Sequence, residues 1–484
     1  MVALLDTGRS LLRELDWQDV DRSRSRVYPV SCPVDPMRRY VRPGRPFSPR
    51  DVRVSARLQE LQWLLEWAYG YRAPKDARQR ATRRAPSAGA LYPTENFVVV
   101  ETGQGWQVLY YDYGGRQFYA APAADARAVA EGLGLRRGEE AILFASVLWR
   151  TLQRYGVRGY RYCLLDAAHV ASNLGRAARA FGREFELDPW SPTAELESLL
   201  DLDHGEVLLL AARTRPGPAA VPPELGEVLV APVGTAEQPP RFSPVLRRAI
   251  DFHRRTLANP DRATAVPWPD ANDSPEDLRR WAGERCSARD FTGETVTAEQ
   301  YARMAAAAAG AQPVFGQHAP SIRFYGITTR VQGLAVGSGL LGAEDGGRWE
   351  IPGQTPTGMT QALSEVCQNQ SILKPTAFTF VLAARKAELA AHGHPGYRAL
   401  VLNAGFLCAD LYREAARCGL GTTSVGGFSD EAVCRLLGDR SLTPIVIQTF
   451  GVPARSGEKV DAARVVGLDT GTPAPWRETN HERR

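Results

Sequence analysis

The chain has 484 residues, of which 44% are apolar and 23% charged, an ordinary globular composition that excludes a disordered, collagen-like or small disulfide-stapled protein. At this length two or three domains of about 100 to 200 residues are expected, each with a sizeable core. Fifty-nine Lys and Arg against 54 Asp and Glu leave a net charge of only +5. With no long basic block, charge implies neither nucleic acid nor a membrane surface as partner.

The opening stretch, MVALLDTGRSLLRELDWQDVDRSRSR, lacks the unbroken apolar run of a signal peptide. No later stretch stays apolar for the roughly 18 residues of a spanning helix, so a soluble cytoplasmic protein is expected. Short β-branched runs at residues 97–101, 206–212 and 379–384 predict strands. Helical spacing runs through Leu165, Ala168, Ser172, Gly175 and Ala178 after the first run, and through Leu402, Gly405, Ala409 and Tyr412 after the third. Gly182 and Gly419 end these helices.

The two helices match without a gap at Tyr160/Tyr397, Arg161/Arg398, Leu165/Leu402, Leu174/Leu411 and Gly182/Gly419, an offset of 397 − 160 = 237. The same offset sets Leu199 and Leu200 opposite Leu436 and Leu437, while Ala85-Pro86-Ser87 falls opposite Ala319-Pro320-Ser321 at 319 − 85 = 234. A repeat of this period is domain-sized. The expected fold is therefore α+β in tandem, with one domain over 1–214, a second over 276–484, and a crossing linker over 215–275. Prolines recur in that linker (Pro216, Pro218, Pro222, Pro223, Pro239, Pro240, Pro267, Pro269), with a helical insert near 244–257.

Seven cysteines (Cys32, Cys163, Cys286, Cys367, Cys408, Cys418, Cys434) are odd in number and form no C-x-x-C pair, which favours buried reduced thiols over disulfides or zinc ligands. His392 and His394 lie close together without an H-E-x-x-H pattern and read as solvated loop histidines. No metal is expected.

The strings RRAPSAGALYPTENFVVV (83–100) and RYGVRGYRYCLLDAAH (154–169) resemble the SagB-type thiazoline/oxazoline dehydrogenases, flavin mononucleotide (FMN) enzymes of the nitroreductase superfamily. The second half is similar to the same superfamily through RCSARDF (285–291), GLGTTSVGGFSDEAVCRLLG (419–438) and TPIVIQTFGVPAR (443–455). The resemblance covers most of the chain and implies two nitroreductase-like domains forming an intrachain pseudodimer. PSAGALYP is a fairly specific string, whereas R-x-S-x-R alone is weak and more often a solvated arginine pair.

Two guanidinium forks, Arg285 and Arg289, flanking the Ser287 hydroxyl suit a dianionic phosphate; the resemblance adds Arg455. Gly421, Gly426 and Gly427 are expected in a loop after a helix, where backbone amides can approach a planar ring; Gly419 reads as the helix cap. The resemblance turns the Gly427 amide, with Gly426 beside it, toward flavin N5, and brings Pro86, Ser87, Ala88, Gly89 and Ala90 across from the other half. Two composite sites are conceivable. The second lacks R-x-S-x-R in RPGRPFSPR, has Arg183, Glu184, Phe185 and Trp190 in place of the glycine loop, and has Ile322, Arg323 and Phe324 after Ser321. One flavin per chain is expected, with the second site filled in.

For catalysis the resembled family uses a Lys-Tyr pair just before the Tyr-Arg helix. Here that pair is Arg154-Tyr155, and the second half has His392-Gly393. Arginine stays protonated and cannot act as base, so the burden moves to Tyr155. A phenol of unperturbed pKa near 10 is assisted by a nearby guanidinium. If the segment is helical, the neighbours point about 100° apart, one to substrate and the other to phosphate or flavin. The bland alternative for Tyr155 is a half-buried interface tyrosine.

The resemblance implies an FMN-dependent dehydrogenase that converts azolines of a ribosomally made precursor peptide to azoles, with oxygen reoxidising the flavin. Its partners would be that azoline-containing peptide and a cyclodehydratase complex. The alternatives are an NAD(P)H-dependent flavin reductase of nitro, quinone or dehydroamino acid substrates, and a flavin-less scaffold subunit.

Overall fold

In the computed structural model the described residues are 10–15, 52–72, 82–113, 116–121, 125–189, 191–202, 205–215, 244–257, 266–268, 274, 276–278, 281, 285–311, 313–316, 319–341, 348–350 and 355–454. Cys32, Trp190, Arg455 and residues 216–243 of the expected linker lie outside them.

A strand alternates its side chains between two faces, and β1 (Thr94–Thr102) fills both. Val98 and Val100 enter the largest apolar cluster, whereas Phe97 and Val99 enter a second cluster on the opposite face, with Val129 and Leu196. Around β1 the chain builds β2 (Gly105–Asp112), β3 (Gln117–Ala120), β4 (Glu140–Val147), β5 (Glu184–Asp188) and β6 (Glu206–Arg215). With β7 (Val266–Pro267) these form an antiparallel sheet of order β3-β2-β1-β4-β6-β5-β7. Between β4 and β5 run α1 (Leu148–Tyr155) and the long α2 (Gly159–Ala180).

The second half repeats this plan. Strands β8 (Arg323–Thr328), β9 (Gly337–Leu340), β10 (Arg348–Glu350), β11 (Phe378–Arg385), β12 (Gly421–Val425) and β13 (Leu442–Gly451) form an antiparallel sheet of order β10-β9-β8-β11-β13-β12. Between β11 and β12 runs α3 (Lys386–Arg417). The class is α+β, and the strands expected at 97–101, 206–212 and 379–384 fall inside β1, β6 and β11. One register needs correction: β1 and β8 occupy the same place in their sheets and start at Thr94 and Arg323. The offset there is 323 − 94 = 229, not the 234 suggested by the two Ala-Pro-Ser strings.

The helices repeat down to a kink. Gly156 (φ 59°, ψ −156°) separates α1 from α2, and Gly393 (φ 62°, ψ −160°) breaks α3 at the equivalent place. Only glycine adopts that conformation without strain. Its effect corrects the reading of the two histidines. His392 and His394 flank the kink within a helix rather than a loop; His392 is exposed as expected, whereas His394 is buried with Nε2 3.2 Å from Glu14 Oε2. Glycine also lets α2 and α3 touch: a Cβ on Gly405 would lie 2.5 Å from that of Ala168. These are equivalent positions, 405 − 168 = 237, so the helices meet on a local pseudo-twofold axis.

Buried arginines tie the halves together. Arg161 donates to the Tyr397 hydroxyl (2.9 Å) and the Pro444 carbonyl (3.0 Å), while its counterpart Arg398 donates to the Leu209 carbonyl (3.1 Å). Arg158 and Arg161 also hold Asp430, at 2.6 and 3.3 Å. Burial would raise the Asp430 carboxyl, but these two guanidinium groups outweigh it and hold its pKa below the usual carboxylate value. Asp430→Asn is expected to cost about 3–5 kcal/mol at pH 7, because two buried cations lose their counter-ion. Because the folded pKa is depressed, the ion-pair contribution is present at neutral pH and lost as pH falls through that folded value. Urea unfolding of parent and variant at pH 7 and in the acid range checks both the size and the sign.

The described parts of 215–275 are packed rather than free. The expected insert is helix α4 (Pro244–Thr256), with Leu246, Ala249 and Phe252 in the main core, and β7 extends the first sheet. Among the described cysteines none is in a disulfide: Cys163, Cys367, Cys408 and Cys434 are buried, Cys418 is half-buried and Cys286 is exposed. No helix among the described residues is long and apolar enough to cross a membrane.

Candidate active site

The chain enters the interface through Pro86 and Ser87 and turns tightly over Ala88–Ala90, with Gly89, Ala90 and Tyr92 at positive φ (63°, 55° and 48°). Ser87 is the hub of this turn. Its Oγ donates to Asp166 Oδ2 (2.5 Å) and accepts from the Tyr92 amide (2.9 Å), while the Ala88 amide donates to Asp166 Oδ1 (3.2 Å). Asp166 lies on α2, buried, and its carboxyl is pushed up to about 7 by burial, against the opposing hydrogen bonds from Ser87 and Ala88. Sequence reasoning passed over it. The signal was an acidic residue in the otherwise apolar run CLLDAAHVAS, since an ionisable side chain inside a buried helix needs a partner.

Arg154 and Tyr155 close α1. A Cβ on Gly89 would lie 2.6 Å from the Tyr155 hydroxyl and 3.1 Å from Arg154 Nη1, so both side chains reach the PSAGALYP turn. This departs from the expected 100° divergence. Tyr155 is the last residue before Gly156, and its own backbone (φ −122°, ψ 6°) has left the helical region, so helical periodicity no longer sets its direction. The exposed Arg154 guanidinium stands 5.6 Å from the Tyr155 ring centre. On its other side Tyr155 packs edge-on against Tyr162, with ring centres 4.9 Å apart. Tyr162 donates to the Gly426 carbonyl (2.5 Å), and a Cβ on Gly426 would lie 2.3 Å from its ring. Gly89, Tyr155, Tyr162 and Gly426 thus form a continuous chain of contacts between the halves.

In the second half, residues 285–289 run beside β12, where the Ala288 amide donates to the Thr422 carbonyl (2.9 Å). Arg285 is buried, and its Nε donates to the Arg84 carbonyl (2.7 Å), just before the PSAGALYP turn. Ser287 Oγ lies 2.9 Å from the Tyr412 hydroxyl, which accepts from the Ser424 amide (3.1 Å). Arg289 is exposed. Gly421 is not in a loop: it opens β12 and packs on Pro453 and Ala288, 2.9 and 3.2 Å from where its Cβ would be. Gly426 and Gly427 follow that strand, and the Gly427 carbonyl accepts from Gln370 (3.1 Å). Gly419, at φ 69°, ends α3.

The Arg285 cation also acts on a buried neighbour. His169 is buried one turn along α2 from Asp166, and its pKa is pushed down to about 3, first by burial and then by the Arg285 cation. Two guanidinium groups and a hydroxyl on one short segment are the donor chemistry a phosphate needs. Among the described residues there is no cluster of three or more His, Cys, Asp or Glu able to hold a metal.

The equivalent place across the pseudo-twofold axis is packed with aromatic rings. The Trp268 amide donates to the Phe185 carbonyl (2.9 Å), as Ala288 does to Thr422, with 422 − 185 = 237. The Phe315 amide donates to Asn403 Oδ1 (3.0 Å), as Ala88 does to Asp166, with 403 − 166 = 237. Trp268 lies 5.4 Å from Phe406 and 6.3 Å from Phe185, and Phe406 lies 5.8 Å from Phe315. Of the residues expected to fill this place, Phe185 does so. Arg183 instead pairs with Glu60 (2.7 Å) and Glu140, Glu184 pairs with Arg215 at the surface, and Arg323 with Glu388 (3.6 Å). Phe324 is a buried residue of β8, and Ile322 is half-buried just before that strand. Trp268 and Phe315 were not anticipated, because the first lies in the expected linker and the second was hidden by the wrong register.

Residues 282–452 match the model of the nitroreductase family, whose members generally depend on FMN. The chain therefore carries a nitroreductase-family domain. A protein of Methanocaldococcus jannaschii named as a nitroreductase is 30% identical over 132 residues, covering 26% of this chain and 64% of that relative, just under two thirds of its length. A crystal structure of a chain from Anabaena variabilis, also named as a nitroreductase, superposes with a TM-score of 0.64 at 22% identity, covering 84% of this chain and 90% of that one. The nitroreductase-like fold thus extends over both halves. A chain of the Escherichia coli microcin synthetase complex and NfrA2 of Bacillus megaterium each superpose at a TM-score of 0.29, with 19% and 18% identity over 34% and 43% of this chain and 64% and 76% of theirs. That shared value does not separate one chemistry from another.

Proposed function

We propose that the chain is a tandem nitroreductase-fold enzyme that binds one FMN between its halves and oxidises azoline rings of a precursor peptide to azoles. The observation that carries this reading is the convergence of Arg154 and Tyr155 on Gly89 of the PSAGALYP turn, linked through Tyr162 to Gly426 of the other half. Arg285, Ser287 and the exposed Arg289 would hold the phosphate, with Arg455 as a further candidate. The backbone at Gly426 and Gly427 and the turn from Pro86 to Ala90 would border the ring. Bound FMN would supply a two-electron acceptor for the hydride lost from one azoline carbon.

The chain's own task is the proton on the adjacent carbon. The Tyr155 oxygen is the proposed base, and the neighbouring Arg154 cation favours its phenolate form by charge. Aromatisation then makes proton loss favourable overall.

Purified protein is expected to carry about one FMN per chain, measured from its absorption spectrum and a protein assay. With an azoline peptide and oxygen it should form azole without added NAD(P)H. Two tightly bound flavins would sink the single-site reading. NAD(P)H-dependent reduction of a quinone or nitro compound with no azoline oxidation would favour the reductase. Absence of flavin after incubation with FMN would favour the scaffold.

A further inference from the structure

We propose that Asp166 is a positioning residue whose protonation state sets the direction in which the Ser87 hydroxyl points. The inference rests on the reading of this interface as the flavin site. With Asp166 ionised, Ser87 donates its hydrogen to Oδ2, at 2.5 Å. With Asp166 neutral, the carboxylic acid donates to Ser87 Oγ. That oxygen still accepts from the Tyr92 amide at 2.9 Å, using the second of its two acceptor positions. The Ser87 hydrogen is then released toward whatever occupies the half-open side of the turn, where Ser87 is half-buried and Gly89 exposed.

The other half of the molecule separates this role from mere support of the turn. There the equivalent backbone bond, from the Phe315 amide, is accepted by the neutral amide of Asn403. A carboxylate is therefore not required to hold the backbone. What Asp166 adds is a second oxygen that engages a hydroxyl and can exchange a proton with it. Among the described residues, the titratable groups that interact with it are Tyr69, on the helix Val52–Tyr69, and Cys163 on its own helix. Burial keeps both neutral, and pushes the Cys163 thiol up to about 12. The carboxyl itself, pushed up to about 7, is the group of this cluster that titrates near neutrality.

Two measurements test this, one without flavin and one with it. Because the folded pKa is raised, folding favours protonated Asp166, and its contribution to stability is lost as pH rises toward that value. Asp166→Asn should thus gain melting temperature relative to the parent as pH is raised from 5 to 8. Ser87→Ala removes a hydrogen bond to the ionised form and should move the parent's midpoint to higher pH. A parent–variant difference that is flat across pH, or a midpoint unmoved in Ser87→Ala, overturns the proposal.

In protein loaded with FMN, the visible flavin band should shift with pH around neutrality in the parent. It should be independent of pH in Asp166→Asn and in Ser87→Ala. A pH-dependent shift that persists in Asp166→Asn overturns the proposal. If Asp166→Asn fails to fold, the parent and Ser87→Ala still decide between these outcomes. If the parent takes up no FMN, the proposed function fails, and with it the role toward a bound ring. The melting series then separately reports whether Asp166 and Ser87 exchange a proton.

Discussion

Tyr155→Phe is expected to retain flavin and lose azoline oxidation by about 10²-fold or more, the usual scale for removing a general base. The substitution keeps the ring that packs edge-on against Tyr162 and removes only the oxygen lying against Gly89. Two companions sharpen it. Arg154→Lys keeps a cation beside the phenol and should retain substantial activity if the arginine acts by charge. Tyr162→Phe loses the bond to the Gly426 carbonyl, worth about 0.5–1.5 kcal/mol, and should show first as weaker joining of the halves. Single-turnover oxidation of an azoline peptide separates these effects. A parent-like rate in Tyr155→Phe would place the base elsewhere. Tyr162 would then be next, since Tyr160 is buried against His253 and Thr256, away from the turn.

Loss of FMN is the second large effect expected, in Arg285→Ala combined with Arg289→Ala. A charge-assisted bond to phosphate contributes about 1.5–3 kcal/mol, so each arginine accounts for about a 10- to 150-fold change in affinity. The two are not equivalent, however. Arg285 also bonds the Arg84 carbonyl across the interface, so removing it should lower the melting temperature as well. Arg289 is exposed. Arg289→Ala should therefore weaken FMN binding with little change in stability, which fluorescence titration of the released flavin can measure. If Arg289→Ala binds FMN as tightly as the parent, the phosphate is held elsewhere.

Local pattern made much of the fold legible. The β-branched runs marked strands that are buried on both faces, and the spacing through Leu165, Ala168 and Ser172 marked α2 because that helix is packed along most of its length. The glycines at 182 and 419 marked helix ends through their positive φ. Of the candidate site, the PSAGALYP turn, Arg154 and Tyr155 stand together, and Arg285 reaches the start of the same turn. What stayed hidden depends on contacts distant in sequence. Asp166 is visible as unusual only once α2 is known to be buried beside Ser87. Gly421 looked like loop because glycine disfavours strands, yet the close approach of Pro453 and Ala288 leaves no space for a side chain there. His392 and His394 were misplaced because Gly393 and Pro395 suggest a loop, whereas the chain kinks and continues as helix.

The aromatic packing of Trp268, Phe185, Phe315 and Phe406 has a consequence for what kind of molecule can carry it. In a pair of identical subunits every substitution occurs twice, so a ring that blocks one interface cavity blocks its mate as well. When both halves belong to one chain, position 169 can be histidine while its counterpart 406 is phenylalanine, and 175 can be glycine while 412 is tyrosine. One side of the interface can then become hydrophobic core while the other keeps its polar groups. The ring-filled side can then serve as fixed support for the other, and the two sides of the interface cease to be interchangeable, an asymmetry that a pair of identical subunits does not have.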